Sequence, residues 1–488
     1  MSEPLGTSDI ALLLGISRPR VWQLRKDAAF PEPAGRDAQG REYWCEASIL
    51  RWAASARKNL ADKAPLLWRP TSGQAAPYLG LAMVDGHAVM TWDAELGRIG
   101  LVYAPAGLPI DRTGKVLQNL LRRANADVLV AQDAGQFTTW GPDLRAVDAA
   151  APERIYSPRW EDLARAIGAP APFWPTGLIQ PEAMARWTPG TPPLDLTPRH
   201  PELDTAPLLR LHSTSPDDST AARATLHLAR AIDAQAAQAA RVDIGLLNKS
   251  GDRQHIALAA TVLEGPHADD PDEAVLRDGW SQILTRTDML AHDCVELASQ
   301  WDGGRYFPFS VTTRLRLEHS PEARAWKQRL QRVEDGATDQ PIEPTAAMIR
   351  LARDARAYFT DPATDLPAAF DLDGVLRAAV PQRLPATTPL AEVILRDRKV
   401  WIRTADRALY LAPEQSGCGL SWGYSGSGPV TLAHLLDLLL DDINATAPHH
   451  VPSSEDPVPE GLMKLTANTP RDEGATYTRG ELLAARAR

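Results

Sequence analysis

The stretch Ile10–Lys26, IALLLGISRPRVWQLRK, divides into two short helices at a single glycine. Thr7-Ser8-Asp9 offers helix N-caps just ahead of it. Ile10, Leu13 and Leu14 are spaced i, i+3, i+4 and form one apolar face. Gly15 stands where a helix ends on a left-handed residue. Ile16 fills the turn, Ser17 caps a second helix, and Pro19 lies in its first turn, where a missing N–H costs nothing. Val21 and Leu24 point inward. Arg18, Arg20, Gln23 and Lys26 are left on the flanks and the outer face. A short helix, a glycine turn and a second helix with a basic exterior make a helix-turn-helix.

Working outward, Phe30-Pro31-Glu32-Pro33 leads into a turn from Gly35 to Gly40 and then Arg41-Glu42-Tyr43-Trp44. Two extended runs around a polar glycine turn predict a β-hairpin. Glu46 to Arg57 predicts a third helix with Ile49 and Trp52 buried. LLLGISRPRVWQLRK, FPEP and REYWCEASILRWAASA together resemble the AlpA/excisionase-type winged helix of the wider MerR-like group, over about 60 of the 488 residues. The resemblance implies that the second helix enters the DNA major groove while the wing touches the backbone or the minor groove. The DNA-binding residues it implies are Ser17, Arg18, Arg20, Gln23, Lys26, Arg36 and Arg41. Arg18 and Arg20 would read phosphate or guanine, and Gln23 would read a base. Arg36 and Arg41 are offset by Asp37 and Glu42, which weakens the pull of the wing. The competing reading of the same residues is a small three-helix domain used for protein contact.

Charge agrees with a DNA contact confined to this end. The chain carries 52 Lys and Arg against 62 Asp and Glu, a net of −10, which by itself opposes phosphate binding. Residues 1–60 hold nine basic and seven acidic side chains, a net of +2, so the other 428 residues carry −12. Between Arg18 and Arg41 there are six basic and three acidic residues. That modest excess gives few phosphate contacts per copy and predicts a homodimer. Only eight of the 52 basic residues are Lys, which points to a GC-rich bacterial source. No run of 18 apolar residues occurs, so no membrane span is expected. Cys45, Cys294 and Cys418 match no ligand spacing, and a reducing, cytoplasmic, nucleoid-associated setting is expected.

The rest of the chain predicts a multidomain α/β protein. After the winged helix-turn-helix of residues 1–60 and a linker from Leu60 to Gln74, residues 75–169 read βββαβα. That order resembles the front half of a ribonuclease H-like fold, whose acidic residues would hold Mg2+ for phosphodiester cleavage. Asp85, Asp93 and Asp133 are the candidate ligands of that nuclease alternative; Asp85-Gly86 equally suits a type I′ hairpin turn. The helix Thr113–Ala124 departs from the pattern, presenting Lys115 and Arg122 where the family has a glutamate. Residues 170–218 hold a proline-rich linker or arm, with eleven prolines between Pro170 and Pro216. Residues 219–385 are expected to be mainly helical, including helices over Pro321–Glu334 and Thr345–Phe359. His292-Asp293-Cys294 lies in a helix that turns the two side chains apart, which disfavours a nucleophile. Walker A, GxGxxG, HExxH and GxSxG patterns are absent.

Residues 390–488 predict a small α+β domain with a glycine-rich loop, Gly417 to Pro429, opening onto a helix. A loop of this kind can cradle an anion, but it lacks the lysine of a P-loop. LSWGYSGSGPVTLAHLLDLLLDD resembles a small domain of unknown function in bacterial, phage and plasmid proteins with the pattern WGYxGSGP. The resemblance implies a mobile-element or plasmid setting and no activity. Taken together, these observations predict a sequence-specific DNA-binding protein, a transcriptional regulator or mobile-element maintenance factor. Its acidic body would serve dimerisation or a protein partner, with no cofactor. The alternatives are a metal-dependent nuclease targeted by the winged helix, and a protein-interaction scaffold.

Overall fold

The structure, a computed structural model, describes residues 5–37, 39–57, 60, 63–104, 115–263, 270–286, 288–333, 355–452 and 457–488, with the backbone alone at 133–135. The chain divides into two units, each built from two segments: Met1–Asp204 with Ile232–His267, and Thr205–Ala231 with Ala268–Arg488.

In the first unit, α1 (Thr7–Leu14) buries Ile10 and Leu14 and ends at Gly15, whose φ of 66° is the left-handed conformation the sequence requires. Ser17 is extended, and α2 (Arg18–Leu24) turns Val21 and Leu24 into the core. Strands β1 (Gly35–Arg36) and β2 (Glu42–Tyr43) pair antiparallel, and α3 (Glu46–Ala56) buries Ile49, Leu50 and Trp52. Phe30 ties these pieces together. Its ring meets Trp44 edge-on at 6.1 Å and Trp52 at 4.8 Å, in the geometry that aromatic quadrupoles favour.

The stretch from Leu60 to Gln74 is not a free linker. Leu60, Ala64, Leu67 and Trp68 are buried in the core that also takes α1–α3 and the following sheet. The breakers Pro65, Pro70 and Gly73 suit the irregular path, but the apolar residues between them provide the anchorage. The Leu66 amide donates to Asp148 Oδ2 at 2.8 Å.

That sheet has six strands in chain order: β3 (Tyr78–Val84), β4 (His87–Ala94), β5 (Gly97–Tyr103), β6 (Val128–Thr138), β7 (Gly141–Asp148) and β8 (Ala151–Tyr156). Only β5 and β6 pair parallel, with α4 (Lys115–Arg123) between them in the chain. Next come α5 (Trp160–Ile167), β9 (Ala171–Phe173), α6 (Pro181–Met184) and β10 (Leu194–Leu196). The proline-rich segment is therefore packed structure: Phe173, Trp174 and Trp187 are at most 2% exposed. Its strands pair parallel with later ones, β9 with β11 (Ile256–Leu258) and β10 with β12 (Ala260–Val262).

The second unit begins with α7 (Ala206–Thr214) and the start of α8 (Thr220–Leu247), and continues through α9 (Glu273–Leu284) and α10 (Met289–Asp302). At Gly279 of α9 a Cβ would lie 2.2 Å from the Thr220 carbonyl oxygen and 2.8 Å from the Ala224 Cβ, so the small residues of α8 admit a close helix crossing.

Beyond residue 305 the expected helical middle gives way to sheet. Five antiparallel strands run in the order β13 (Phe309–Leu315), β17 (Leu376–Pro381), β16 (Leu366–Phe370), β15 (Ala357–Asp361) and β14 (Gln331–Arg332). The helix predicted over Pro321–Glu334 stops at Gln328, as α11 (Pro321–Gln328). The one predicted over Thr345–Phe359 lies outside the described residues up to 354 and is strand from Ala357. Here Tyr358 and Phe359 follow β rather than helical pairing because β16 supplies a partner edge.

A second sheet, in the order β20 (Leu409–Leu411), β19 (Lys399–Thr404), β18 (Leu390–Arg396) and β21 (Ala475–Thr478), completes the unit with α12 (Ser427–Asp441), α13 (Glu460–Asn468) and α14 (Arg479–Arg486). Leu315, Trp326, Leu376, Ile394 and Trp401 form one core shared by the two sheets.

Candidate nucleic-acid interface

The outer surface of α2 follows from what its inner surface buries. With Val21 and Leu24 at 0% and 5% exposure, helical spacing leaves Arg18, Arg20 and Gln23 outside. Lys26, just past the helix, is also exposed, and so is Ser17, whose hydroxyl makes no capping hydrogen bond. Arg20 Nη1 donates to Gln23 Oε1 at 2.9 Å, which leaves the Gln23 amide donors pointing to solvent. Arg18, Arg20, Gln23 and Lys26 are therefore all exposed, on the flanks and outer side of α2 and just past its end.

The β1–β2 hairpin is arranged differently. Arg41 Nε donates to Asp37 Oδ2 at 2.8 Å, and Arg41 Nη2 to Gln39 Oε1 at 3.0 Å. Arg36 pairs with Glu42 at 3.3 Å. Two amide donors and the Arg41 guanidinium hold the Asp37 carboxyl below its usual range. Both wing arginines thus carry their own counter-charge, as the alternation of signs predicts.

Two residues of this surface escaped the sequence reading. Arg25 packs between aromatic rings, 4.5 Å from the Trp22 centroid and 4.7 Å from that of Trp44, and also pairs with Glu42. Trp22 remains 57% exposed. The Trp22–Arg25 spacing of three, one helical turn, was the available signal.

Of the candidate ligands of the nuclease alternative, Asp85 and Asp93 lie apart. Asp85 and Gly86, with φ of 49° and 78°, form the two-residue turn between β3 and β4, and Asp85 pairs with Arg123. Asp93 lies at the other end of β4, opposite Arg98, about 20 Å away along a strand rising roughly 3.3 Å per residue. Asp133 belongs to β6, which is separated from β3 by β4 and β5; its side chain lies outside the described part. Among the described residues no group of three His, Cys, Asp or Glu could hold a metal ion.

Other sequence candidates resolve into structure. Burial and the neighbouring Asp293 push the Cys294 thiol up to about 12, which leaves it protonated and unreactive. The glycine-rich loop closes on itself: Ser421 Oγ and Tyr424 OH are 2.8 Å apart, and a Cβ on Gly428 would lie 2.0 Å from that Ser421 oxygen. No described helix is long and apolar enough to cross a membrane.

Comparison with protein-family models, with curated proteins and with solved structures found no match to this chain.

Proposed function

We propose that this chain is a sequence-specific DNA-binding protein whose N-terminal helices and hairpin act as a winged helix-turn-helix. In this reading α2 enters the major groove. The observation that carries it is the division of α2 into a buried Val21–Leu24 side and an exposed side bearing Arg18, Arg20 and Gln23, with Lys26 beside them. Such a surface combines cations for phosphate with an amide for a base edge. The remaining 428 residues carry a net charge of −12, which disfavours an extended phosphate-backbone contact away from this end. A homodimer supplies the second half-site that a small module needs for affinity. A transcriptional regulator or maintenance factor of a mobile element, working at the bacterial nucleoid, is the role this architecture fits.

The test is a gel shift of the full chain on a pool of random duplexes, wild type against Arg18→Ala/Arg20→Ala. The wild type should retain a subset of duplexes. The double variant should lose affinity and show a shallower salt dependence, by about two phosphate contacts at roughly 0.9 each. Equal binding by both proteins would overturn the assignment. Absence of DNA binding at low salt would favour a protein-contact surface, to which the exposed Trp22 and Leu12 are suited.

A further inference from the structure

The second unit contains a concentration of positive charge that neither its acidity nor the DNA reading accounts for. A cleft of about 470 Å³ is lined by Arg314, Arg316, Arg398, Lys399 and Arg471. Among the described residues the carboxylates that line it are Asp397 and Asp472, so this lining carries a net +3 in a chain of net −10. The volume lies in the range of small-ligand sites.

The fold assembles these cations from three places. Arg314 is the next-to-last residue of β13 and Arg316 follows just past its end, so the two-residue period puts both on one exposed side while Leu315 between them is buried. Arg398 comes from the turn between β18 and β19. Arg396 pairs with Lys399, leaving a two-residue turn in which Asp397 and Arg398 have φ of 49° and 58°. That turn type favours Asn-Gly, and an arginine in the left-handed region costs on the order of 1 kcal/mol. Strain of this kind is kept where a side chain must be aimed.

Arg471 is positioned by the glycine-rich loop. Its guanidinium sits 5.5 Å from the Tyr424 ring centroid, and Trp422 Nε1 donates to the Pro470 carbonyl at 3.2 Å. Gly423, at φ 83°, has room for no Cβ, which would lie 2.8 Å from the Arg471 Cβ. Trp422-Gly423-Tyr424 in the middle of this loop is therefore a support for Arg471.

Several arginines elsewhere carry a buried counter-charge: Arg51 with Asp162, Arg159 with Asp252, Arg329 with Asp361, Arg377 with Asp371. The side chains of Arg314, Arg316 and Arg398 make no hydrogen bond or ion pair with the described residues. Burial pulls Lys399 below the usual lysine range and Arg316 adds to that, while Glu414 and Asp397 oppose it. An array of like charges held this close is stabilised by an anion that bridges them.

We propose that this cleft is a binding site for a small diphosphate-bearing ligand. Arg314, Arg316, Arg398 and Arg471 contact its phosphate oxygens. Asp397 and Asp472 are placed to accept hydrogen bonds from hydroxyl or amino groups on the rest of the ligand. This site is independent of the DNA reading and uses no residue of it.

Isothermal titration of the full chain with inorganic pyrophosphate tests the proposal. Wild type should bind one equivalent saturably. Arg316→Ala/Arg398→Ala should weaken binding at least tenfold while keeping the wild-type melting temperature within a few degrees. Arg332→Ala, which removes an exposed cation outside the cleft, should bind like wild type. Parallel titration with ADP separates the two sources of a diphosphate: tighter binding than pyrophosphate assigns a nucleoside diphosphate, and equal binding assigns the free anion. No saturable binding, or binding that the double variant retains, overturns the proposal. So does displacement of pyrophosphate only by a short single-stranded oligonucleotide, which would make the cleft a nucleic-acid groove.

Discussion

Arg51 of α3 and Asp162 of α5, 111 positions apart in the chain, are joined by two hydrogen bonds to a single carboxylate oxygen, from Nη2 at 2.8 Å and Nε at 3.1 Å. The Asp162 side chain is only 3% exposed and also accepts from Arg165 at 3.1 Å. Arg154 reaches Glu46 of α3 at 2.6 Å nearby. These links, with the buried Leu67 and Trp68, fix the N-terminal helices to the six-stranded sheet rather than leaving them on a tether.

Asp162→Ala should therefore destabilise the first unit by about 3 kcal/mol, because two arginines lose a shared buried counter-charge. Urea unfolding measures the loss. Limited proteolysis should show new cleavage between Arg57 and Arg69. Unchanged stability with no new cleavage would mean that the ion pair contributes nothing to the attachment.

If the proposed DNA contact holds, neutralising the carboxylates of the β1–β2 hairpin should tighten it. Asp37→Asn/Glu42→Gln releases Arg36 and Arg41 from ion pairs that now occupy them. Affinity for random duplex should rise, and the slope of log K against log salt should steepen by up to about two. An unchanged slope in a fluorescence-anisotropy salt titration would place the wing away from the phosphates.

A third prediction concerns pH. Burial pushes the Glu414 carboxyl up to about 7, against the partial pull of Lys399. It likewise pushes Asp233 up to about 6. Both groups are raised on folding, so the folded chain holds protons that the unfolded chain releases. Their stabilising effect is complete at low pH and is lost as pH rises through the window from about 4 to 7. Glu414→Gln should flatten that decline and leave the protein about 2–3 kcal/mol more stable than wild type at pH 8. Thermal unfolding at pH 5 and pH 8 reads the difference; parallel curves for the two proteins would contradict it.

Gly423→Ala should uncouple the glycine-rich loop from Arg471. A left-handed φ and a Cβ 2.9 Å from the Thr469 carbonyl oxygen make the change costly, by roughly 1–2 kcal/mol. Pyrophosphate binding should weaken severalfold because Arg471 moves, while gel shifts on DNA should stay at the wild-type level. Loss of DNA binding as well would indicate global unfolding.

The legible parts of the fold were those set by local chemistry. Gly15, Ser17 and Pro19 specify α1 and α2 through caps and breakers, and Asp85-Gly86 specifies a turn. Strand pairing at a distance was not legible. The βββαβα order read from the sequence omits β7 and β8 and is compatible with several sheets; only the observed order shows β6 beside β5 rather than β3. Tyr358 and Phe359 read as the end of a helix, although β16, which pairs with them, begins at Leu366 just after the turn that follows Asp361. The surface of α2 was legible because exposure there follows helical period. The cationic cleft was not, since Arg314, Arg398 and Arg471 are separated by more than 150 positions and meet only through the sheets.

The interleaving of the two units has a consequence for how the nascent chain matures. β9 and β10 emerge before residue 200, but their parallel partners β11 and β12 are not made until residues 256–262. At about 5–20 residues per second, some 60 residues of synthesis separate the two events by several seconds. During that interval two strand edges and the apolar surface around Trp174 and Trp187 have no cover, and they offer a natural foothold for a holding chaperone. Truncation after Asp204 would make that transient exposure permanent.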